Sequence, residues 1–411
     1  MGPGKTAEAF RASGSSSSPA GPTWLERRLA SILECGVHGR TPGITPPFAP
    51  DGLRRILVVR NDNIGDVLCT TPALRALRRA FPRAKLAVLV PEHCRPVVER
   101  NPDVDDILSY TKSKHAPRWF GLPALWYLAR TIRTLRRSRY DLAIVMRRPF
   151  SRSSAWLAYA SGAPWRLGVG PRVPDRSRFF LNLGREADIA TDHEVDGCLG
   201  LLAAIGIPAA GRGLTLIPDP DAQATVRRRL SQAGVAGGAG VALIHISNRR
   251  EACRWPLPAF ARAADALHER LGLPMVLSWA PGDETNRLFP GDDGKADEVA
   301  ARMRTRPILL RTPILNELIA AVSLSDFVLS TDGGLMHIAA ALGVPQVVIF
   351  GKTDASLWAP VSQKCVLLQR GGRADAIHED EVVAAAVKLI SHWGSAGANS
   401  NLRPATQRDS G

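Results

Sequence analysis

The chain has 411 residues, 45% of them hydrophobic and 22% charged, with a formal net charge of +15. That length supports two domains of ordinary size, each with its own core. The six cysteines (Cys35, Cys69, Cys94, Cys198, Cys253, Cys365) are scattered singles without a C-x-x-C pair, which excludes a zinc ribbon and a disulfide framework and fits a reducing cytoplasm.

Residues 1–50 are expected to form a tail. The stretch 1–20 is rich in Ser, Gly and Ala and lacks the apolar core of a signal peptide. From Trp24 to Val37 the positions Trp24, Leu25, Leu29, Ile32 and Leu33 share one helical face, with Arg27 and Arg28 beside it. Such a helix either touches a membrane surface or packs on the protein's own flank. Pro42, Pro46, Pro47 and Pro50 then mark a linker. No apolar run anywhere reaches the length that spans a bilayer, so the expectation is a soluble or peripheral protein.

From residue 51 strands and helices alternate. Strands are predicted at Ile56–Val59, Leu86–Val90, near Ile107 and at Leu142–Met146. Helices are predicted at Pro72–Ala80, around Cys94–Arg100 and at Leu122–Arg137. The rhythm restarts at Val241–Ile246 and continues through a helix at Pro258–Leu271, strands at Met275–Ser278 and near Ile308, and a helix at Ile314–Leu324. Alternation of this kind specifies an α/β protein with parallel sheets. The economical architecture is two Rossmann-like lobes, 51–215 and 216–392, followed by a second tail, 393–411. Ligands in open parallel sheets bind beyond the carboxyl ends of the strands, which places the active site in the cleft between the lobes.

The charge is unevenly divided. Residues 51–200 hold 26 Lys and Arg against 15 Asp and Glu (+11), and residues 201–411 hold 22 against 20 (+2). A basic first lobe fits an anionic lipid, a phosphorylated glycan or a nucleic acid, with an ordinary solvated surface as the plain alternative. No aromatic-basic RNA-binding motif accompanies it, so no nucleic-acid partner is expected.

Two constellations carry chemistry. The first strand runs into Asn61-Asp62-Asn63-Ile64-Gly65-Asp66 and then a helix. There Asp66 reads either as a helix N-cap or as a general base at the carboxyl edge of the sheet. The second is Asp326–Asp354, in which an apolar strand breaks at Gly333-Gly334 and opens a helix that ends at Gly343. Gly333 and Gly334 read as a turn that bulkier residues disfavour, and the helix start offers free N–H groups and a positive dipole end to an anion. His337 adds a side-chain donor, whereas the plain reading makes Asp332 a cap and His337 a packed histidine. The Rossmann G-x-G-x-x-G and P-loop patterns are absent.

Taken together, RILVVRNDNIGDVLCTTPALRALRRAFPRAKLAVLV, CRWPLPAF (Cys253–Phe260) and STDGGLMHIAAALGVPQVVIFGKTD resemble the hallmark segments of the glycosyltransferase family 9 heptosyltransferases. The resemblance runs from about Arg55 to Leu389. It implies a GT-B fold whose first lobe binds a lipid-linked, anionic glycan acceptor and whose second binds a nucleotide sugar of the ADP-heptose type. The implied reaction is inverting, needs no metal or other cofactor, and builds the lipopolysaccharide inner core. The expected setting is the cytoplasm, with peripheral contact at the cytoplasmic face of the inner membrane.

By position, Asp66 matches the family's base, and Asn61, Asn63 and Gly65 stand on the acceptor side. Asp332, Gly333, Gly334, Leu335 and His337 match the diphosphate segment, and Asp283 or Glu284 stands where an acidic residue meets the donor ribose. The chain departs from the family pattern at Cys253, where a lysine is usual, at Gly333, where Thr or Ser is common, and at Lys352, where Pro is common. Arg249, Arg250 or Arg254 is expected to replace the lost lysine, with Arg254 first because arginine grips two phosphate oxygens at once. Lys352 is either a further phosphate contact or a solvated lysine. Asp219-Pro-Asp221 has the spacing of a metal-holding D-x-D pair but lies in the inter-lobe linker and reads as a turn. Two other readings keep the fold: a transferase using another nucleotide sugar or a protein acceptor, and a catalytically silent binding protein.

Overall fold

The computed structural model describes residues 52–110, 122–170, 180–185, 193–237, 239–285 and 291–394. The predicted N-terminal tail, the Trp24–Val37 helix and the proline linker lie outside the described residues, as do 395–411.

The first sheet contains β1 (Arg55–Val59), β2 (Lys85–Pro91), β3 (Asp106–Tyr110), β4 (Leu142–Val145), β5 (Trp165–Val169) and β6 (Leu183–Arg185) in the order β3-β2-β1-β4-β5-β6. The second contains β7 (Ala242–His245), β8 (Met275–Trp279), β9 (Ile308–Arg311), β10 (Phe327–Thr331), β11 (Gln346–Phe350) and β12 (Cys365–Gln369) in the order β12-β11-β10-β7-β8-β9. Every pairing is parallel. Renumbered within its own lobe, the second order is the first read backwards, so the two sheets repeat one topology, that of the dinucleotide-binding fold. The central strands are buried on both faces, Val58 between Val88 and Ile144 for example, which is why RILVV and FVLST are continuous apolar runs rather than alternating ones.

The helices are α1 (Ile64–Ala80), α2 (Arg95–Val98), α3 (Leu122–Arg137), α4 (Arg152–Ala160), α5 (Glu194–Ala203), α6 (Pro220–Gln232), α7 (Leu257–Leu271), α8 (Asp293–Arg302), α9 (Leu315–Ser323), α10 (Gly334–Leu342), α11 (Ala355–Trp358) and α12 (Glu379–Gly394). Helix α5 packs on α1, α6 packs on α9, and α12 returns onto α7. The helix predicted over Pro72–Ala80, which the N-cap reading of Asp66 starts at Val67, begins at Ile64, with Pro72 inside α1. Proline there cannot donate to the carbonyl of Leu68, and Thr71 Oγ1 supplies the missing bond at 2.7 Å. Asp219 of the D-x-D spacing caps α6 through Ala222 N (2.9 Å) and pairs with Arg100 Nη2 (2.6 Å). This is a structural use of the carboxylate, in line with the turn reading.

Candidate active site

In each lobe the strand order reverses beside the first strand, between β1 and β4 and between β7 and β10. Segments leaving those four strands therefore converge at the carboxyl edges. They carry Arg60 to Asp66, Arg147 with Arg148, Asn248 to Arg254, and Asp332 to Gly334.

At the end of β1, Arg60 is buried to 1% exposure and meets three carboxylates. Its Nη2 lies 2.8 Å from both Asp66 Oδ1 and Glu194 Oε1, and its Nε lies 3.3 Å from Asp62 Oδ2. Burial alone would lower the guanidinium, but the charges around it, Glu194, Asp66 and Asp62 among them, raise it above its ordinary value. Arg147 pairs with Asp62 (2.6 Å) and Arg148 with Glu194 (3.3 Å). Arg148 lies directly over Gly197 of α5, where a Cβ would come 1.7 Å from the guanidinium carbon and displace it.

Asp66 is also bonded to the backbone of Asn63, whose N–H donates to Oδ2 at 3.1 Å. Asn63 is the N-cap of α1 and Asp66 its third residue, so the two form a reciprocal capping box. The N-cap itself is Asn63, while Asp66 keeps 18% of its side chain exposed. Of the acceptor-side positions, Asn63 is exposed and Asn61 is buried with no hydrogen-bond partner for Oδ1. Gly65 is covered by the other lobe.

That cover is the imidazole of His337, on α10. A Cβ at position 65 would lie 2.6 Å from His337 Cδ2, and one at Gly334 would lie 3.1 Å from Ile64 Cβ. The N-terminal turns of α1 and α10 thus touch directly. His337 is buried, with Nδ1 3.8 Å from Cys69 Sγ and its ring edge-on to Trp358 at 6.4 Å. Burial holds its pKa at about 4, against the pull of the Asp66 and Asp332 carboxylates. At neutral pH it is uncharged, so it can act as a hydrogen-bond donor but not as a cation. A second bridge joins His193 Nε2 to the carbonyl of Ala359 at 2.8 Å. Nδ1 of that ring accepts Val195 N–H, which leaves the proton on Nε2 as the donor.

On the second lobe, Gly333 rather than Asp332 is the N-cap of α10, and no side chain caps it. Its first-turn amides are therefore available to an anion. The carboxylate of buried Asp332 instead accepts from Arg250 Nη2 (3.0 Å) and the Cys253 thiol (3.4 Å), and its carbonyl accepts from Asn248 Nδ2 (2.7 Å). Gly333 has φ −175°, an extended conformation open to any residue, and a Cβ there would meet only Thr331 O at 3.8 Å. The expectation that this turn disfavours bulkier residues is therefore corrected at 333. Gly334 is the confined position, because Ile64 packs on it.

Arg250 also donates from Nη1 to Thr353 (2.9 Å) while 57% of its side chain stays exposed. Arg250 thus places an exposed guanidinium beside Asp332, while Arg254 donates from Nε to the carbonyl of Asn248 (2.9 Å). Trp255 of the same segment is a core anchor, bonded to Ile377 O (2.9 Å) and edge-on to Phe260. Leu335 is buried and Lys352 exposed. Asp283 is exposed and held below the usual carboxylate range by the N–H of Thr285, while Glu284 pairs with Lys295 (2.8 Å). Among the described residues no group of three or more His, Cys, Asp or Glu is arranged to hold a metal ion, and no helix is long and apolar enough to cross a membrane.

Sequence reasoning missed Arg60, Glu194, His193 and the Arg147-Arg148 pair. A charged residue closing an apolar strand was the one available signal for Arg60. Nothing local marked Glu194.

The family model described as glycosyltransferase family 9 (heptosyltransferase) matches residues 128–381. Lipopolysaccharide heptosyltransferase 3 of Escherichia coli is 26% identical over 321 residues, 75% of this chain and 86% of that one. Lipopolysaccharide heptosyltransferase 2 of E. coli K12 is 24% identical over 353 residues, 79% of this chain and 93% of its own. Among solved structures, a family 9 glycosyltransferase from Veillonella parvula superposes with TM-score 0.72 at 22% identity, covering 82% of this chain and 97% of that one. E. coli heptosyltransferase WaaC with ADP gives 0.65 at 21%, covering 82% and 99%. Two parallel-sheet lobes of this kind are the GT-B fold. The chain is a glycosyltransferase and belongs to glycosyltransferase family 9, the heptosyltransferase family.

Proposed function

We propose that this enzyme transfers a heptose, or a closely related sugar, from an ADP-linked donor to a lipopolysaccharide inner-core acceptor with inversion at the anomeric carbon. Residues 51–215 bind the acceptor and 216–392 the donor. Asp66 takes the proton of an acceptor hydroxyl as its oxygen attacks the anomeric carbon. The bond from that carbon to phosphate breaks, and the nucleoside diphosphate leaves with the electron pair. The charge developing on it is met by the free amides of Gly334 and Leu335, by Arg250 and by the neutral His337, in a reaction that uses no metal. Arg254 and Lys352 supply further phosphate contacts, and Asp283 or Glu284 meets the donor ribose. The enzyme works in the cytoplasm, and its lipid-linked acceptor brings it to the inner membrane surface.

The observation that supports this reading is that His337, on α10 whose start is uncapped, packs against Gly65, the residue before Asp66. A base from one lobe and an anion site from the other are what displacement of a nucleoside diphosphate requires. Cys253 and Gly333, where relatives carry Lys and Thr or Ser, favour a second reading with another nucleotide sugar. Calorimetry of ADP, UDP, GDP and CMP binding to the full chain separates the two. Preference for ADP is expected, preference for another nucleotide supports the second reading, and no binding of any overturns both.

A further inference from the structure

Six charged groups meet at the carboxyl ends of β1 and β4 and the start of α5: Arg60, Arg147 and Arg148 against Asp62, Asp66 and Glu194. The pairing is uneven. Asp62 and Glu194 each have a second arginine, whereas Asp66 has Arg60 alone and is the most exposed of the three, at 18% against 8% and 7%. Asp66 is thus the least engaged by arginine and the most open to solvent of the three.

The bonds to Asp66 fix its plane. Oδ1 takes Arg60 Nη2 and Oδ2 takes the Asn63 amide, which occupies two of the roughly four acceptor positions on a carboxylate. The same Nη2 nitrogen reaches Glu194 Oε1 at 2.8 Å. Each terminal guanidinium nitrogen carries two hydrogens, so one points at Asp66 and the other at Glu194. Glu194 therefore sets the rotation of the guanidinium that sets Asp66. The preceding residue is His193, whose Nε2–H bonds the carbonyl of Ala359 on the donor lobe. Since Nδ1 caps α5, one ring holds both the helix that carries Glu194 and the contact between the lobes.

We propose that Arg60 is the positioning residue of Asp66, that Glu194 orients Arg60, and that His193 couples this pair to the docking of the donor lobe. The proposal rests on the reading of Asp66 as the base. It assigns a purpose to three residues that touch neither reacting atom.

The test uses the full chain, with ADP release from ADP-heptose and a de-acylated inner-core acceptor as the rate, and with ADP affinity and thermal midpoint measured for every variant. Arg60→Lys keeps the charge but loses the fork, and Glu194→Gln keeps the shape but loses the charge. Each is expected to lower kcat about ten- to a hundredfold, the scale of a displaced reacting group, with donor KM within about twofold. The double variant is expected to be no slower than Arg60→Lys alone, because both act on one carboxylate. His193→Asn keeps a good N-cap and cannot span to Ala359, so kcat should fall while the thermal midpoint holds. Multiplicative losses in the double variant, or an unimpaired Arg60→Lys enzyme while Asp66→Asn is inactive, overturn the proposal alone. A fully active Asp66→Asn enzyme, or a wild-type protein that releases no ADP, overturns the functional reading and this proposal with it.

Discussion

His337 packs against Gly65, so close that a Cβ at position 65 would come within 2.6 Å of the ring. One residue comes from the turn that precedes Asp66 and the other from the helix that opens at the Gly-Gly turn. The contact joins the two constellations. It also explains why glycine stands immediately before the carboxylate.

Substituting Gly65→Ala forces the imidazole or the α1 turn to shift. Overpacking of this kind costs about 1–3 kcal/mol, so the thermal midpoint should fall and turnover should drop with it. Gly333→Ser is the contrasting case. Its backbone is extended and its surroundings open, so stability should change by less than about 0.5 kcal/mol, measured by denaturant unfolding.

The two arginines near the Gly-Gly turn should behave differently. Arg250→Ala removes the exposed guanidinium next to Asp332 and should weaken ADP binding about tenfold, on the scale of one charge-assisted hydrogen bond. Arg254→Ala loses a bond to the Asn248 carbonyl and should change ADP affinity less. Calorimetry on the two variants decides which of them replaced the family's lysine.

Stability should depend on pH through two buried imidazoles. His337 and His245 are both held at about 4, chiefly by burial, against an ordinary value of 6.5. Below 6.5 the unfolded chain takes up protons that the folded chain refuses until about pH 4, so stability is full above 6.5 and lost as pH falls from there. At pH 5 each contributes a loss of ~2 kcal/mol relative to pH 7.5. Replacing either, as in His245→Gln, should flatten the fall of thermal midpoint with acid by about half, and an unchanged slope would show that other groups dominate.

Much of the fold was legible because buried parallel strands are uninterrupted apolar runs and the helices between them have clear starts and stops. The two glycine-containing turns were legible for the same reason, as each breaks a strand and opens a helix. Pro72 misleads when read alone, since proline marks a helix beginning, yet it is an interior residue of α1, with the Thr71 hydroxyl bonded to the Leu68 carbonyl that proline leaves free. The charge cluster was hidden more deeply. Arg60 and Glu194 are 134 positions apart, and each reads locally as an ordinary solvated charge. The ion pair of Arg250 with Asp332 was hidden for the same reason, since the two are 82 positions apart.

The account stands or falls on Asp66. The most direct measurement is kcat of Asp66→Asn for ADP release from ADP-heptose in the presence of the inner-core acceptor, alongside ADP affinity by calorimetry. Loss of the base predicts a fall in kcat of about a hundred- to ten-thousandfold with ADP affinity unchanged within about twofold. Turnover near the wild-type rate would contradict the assignment of Asp66 as the group that accepts the acceptor's proton.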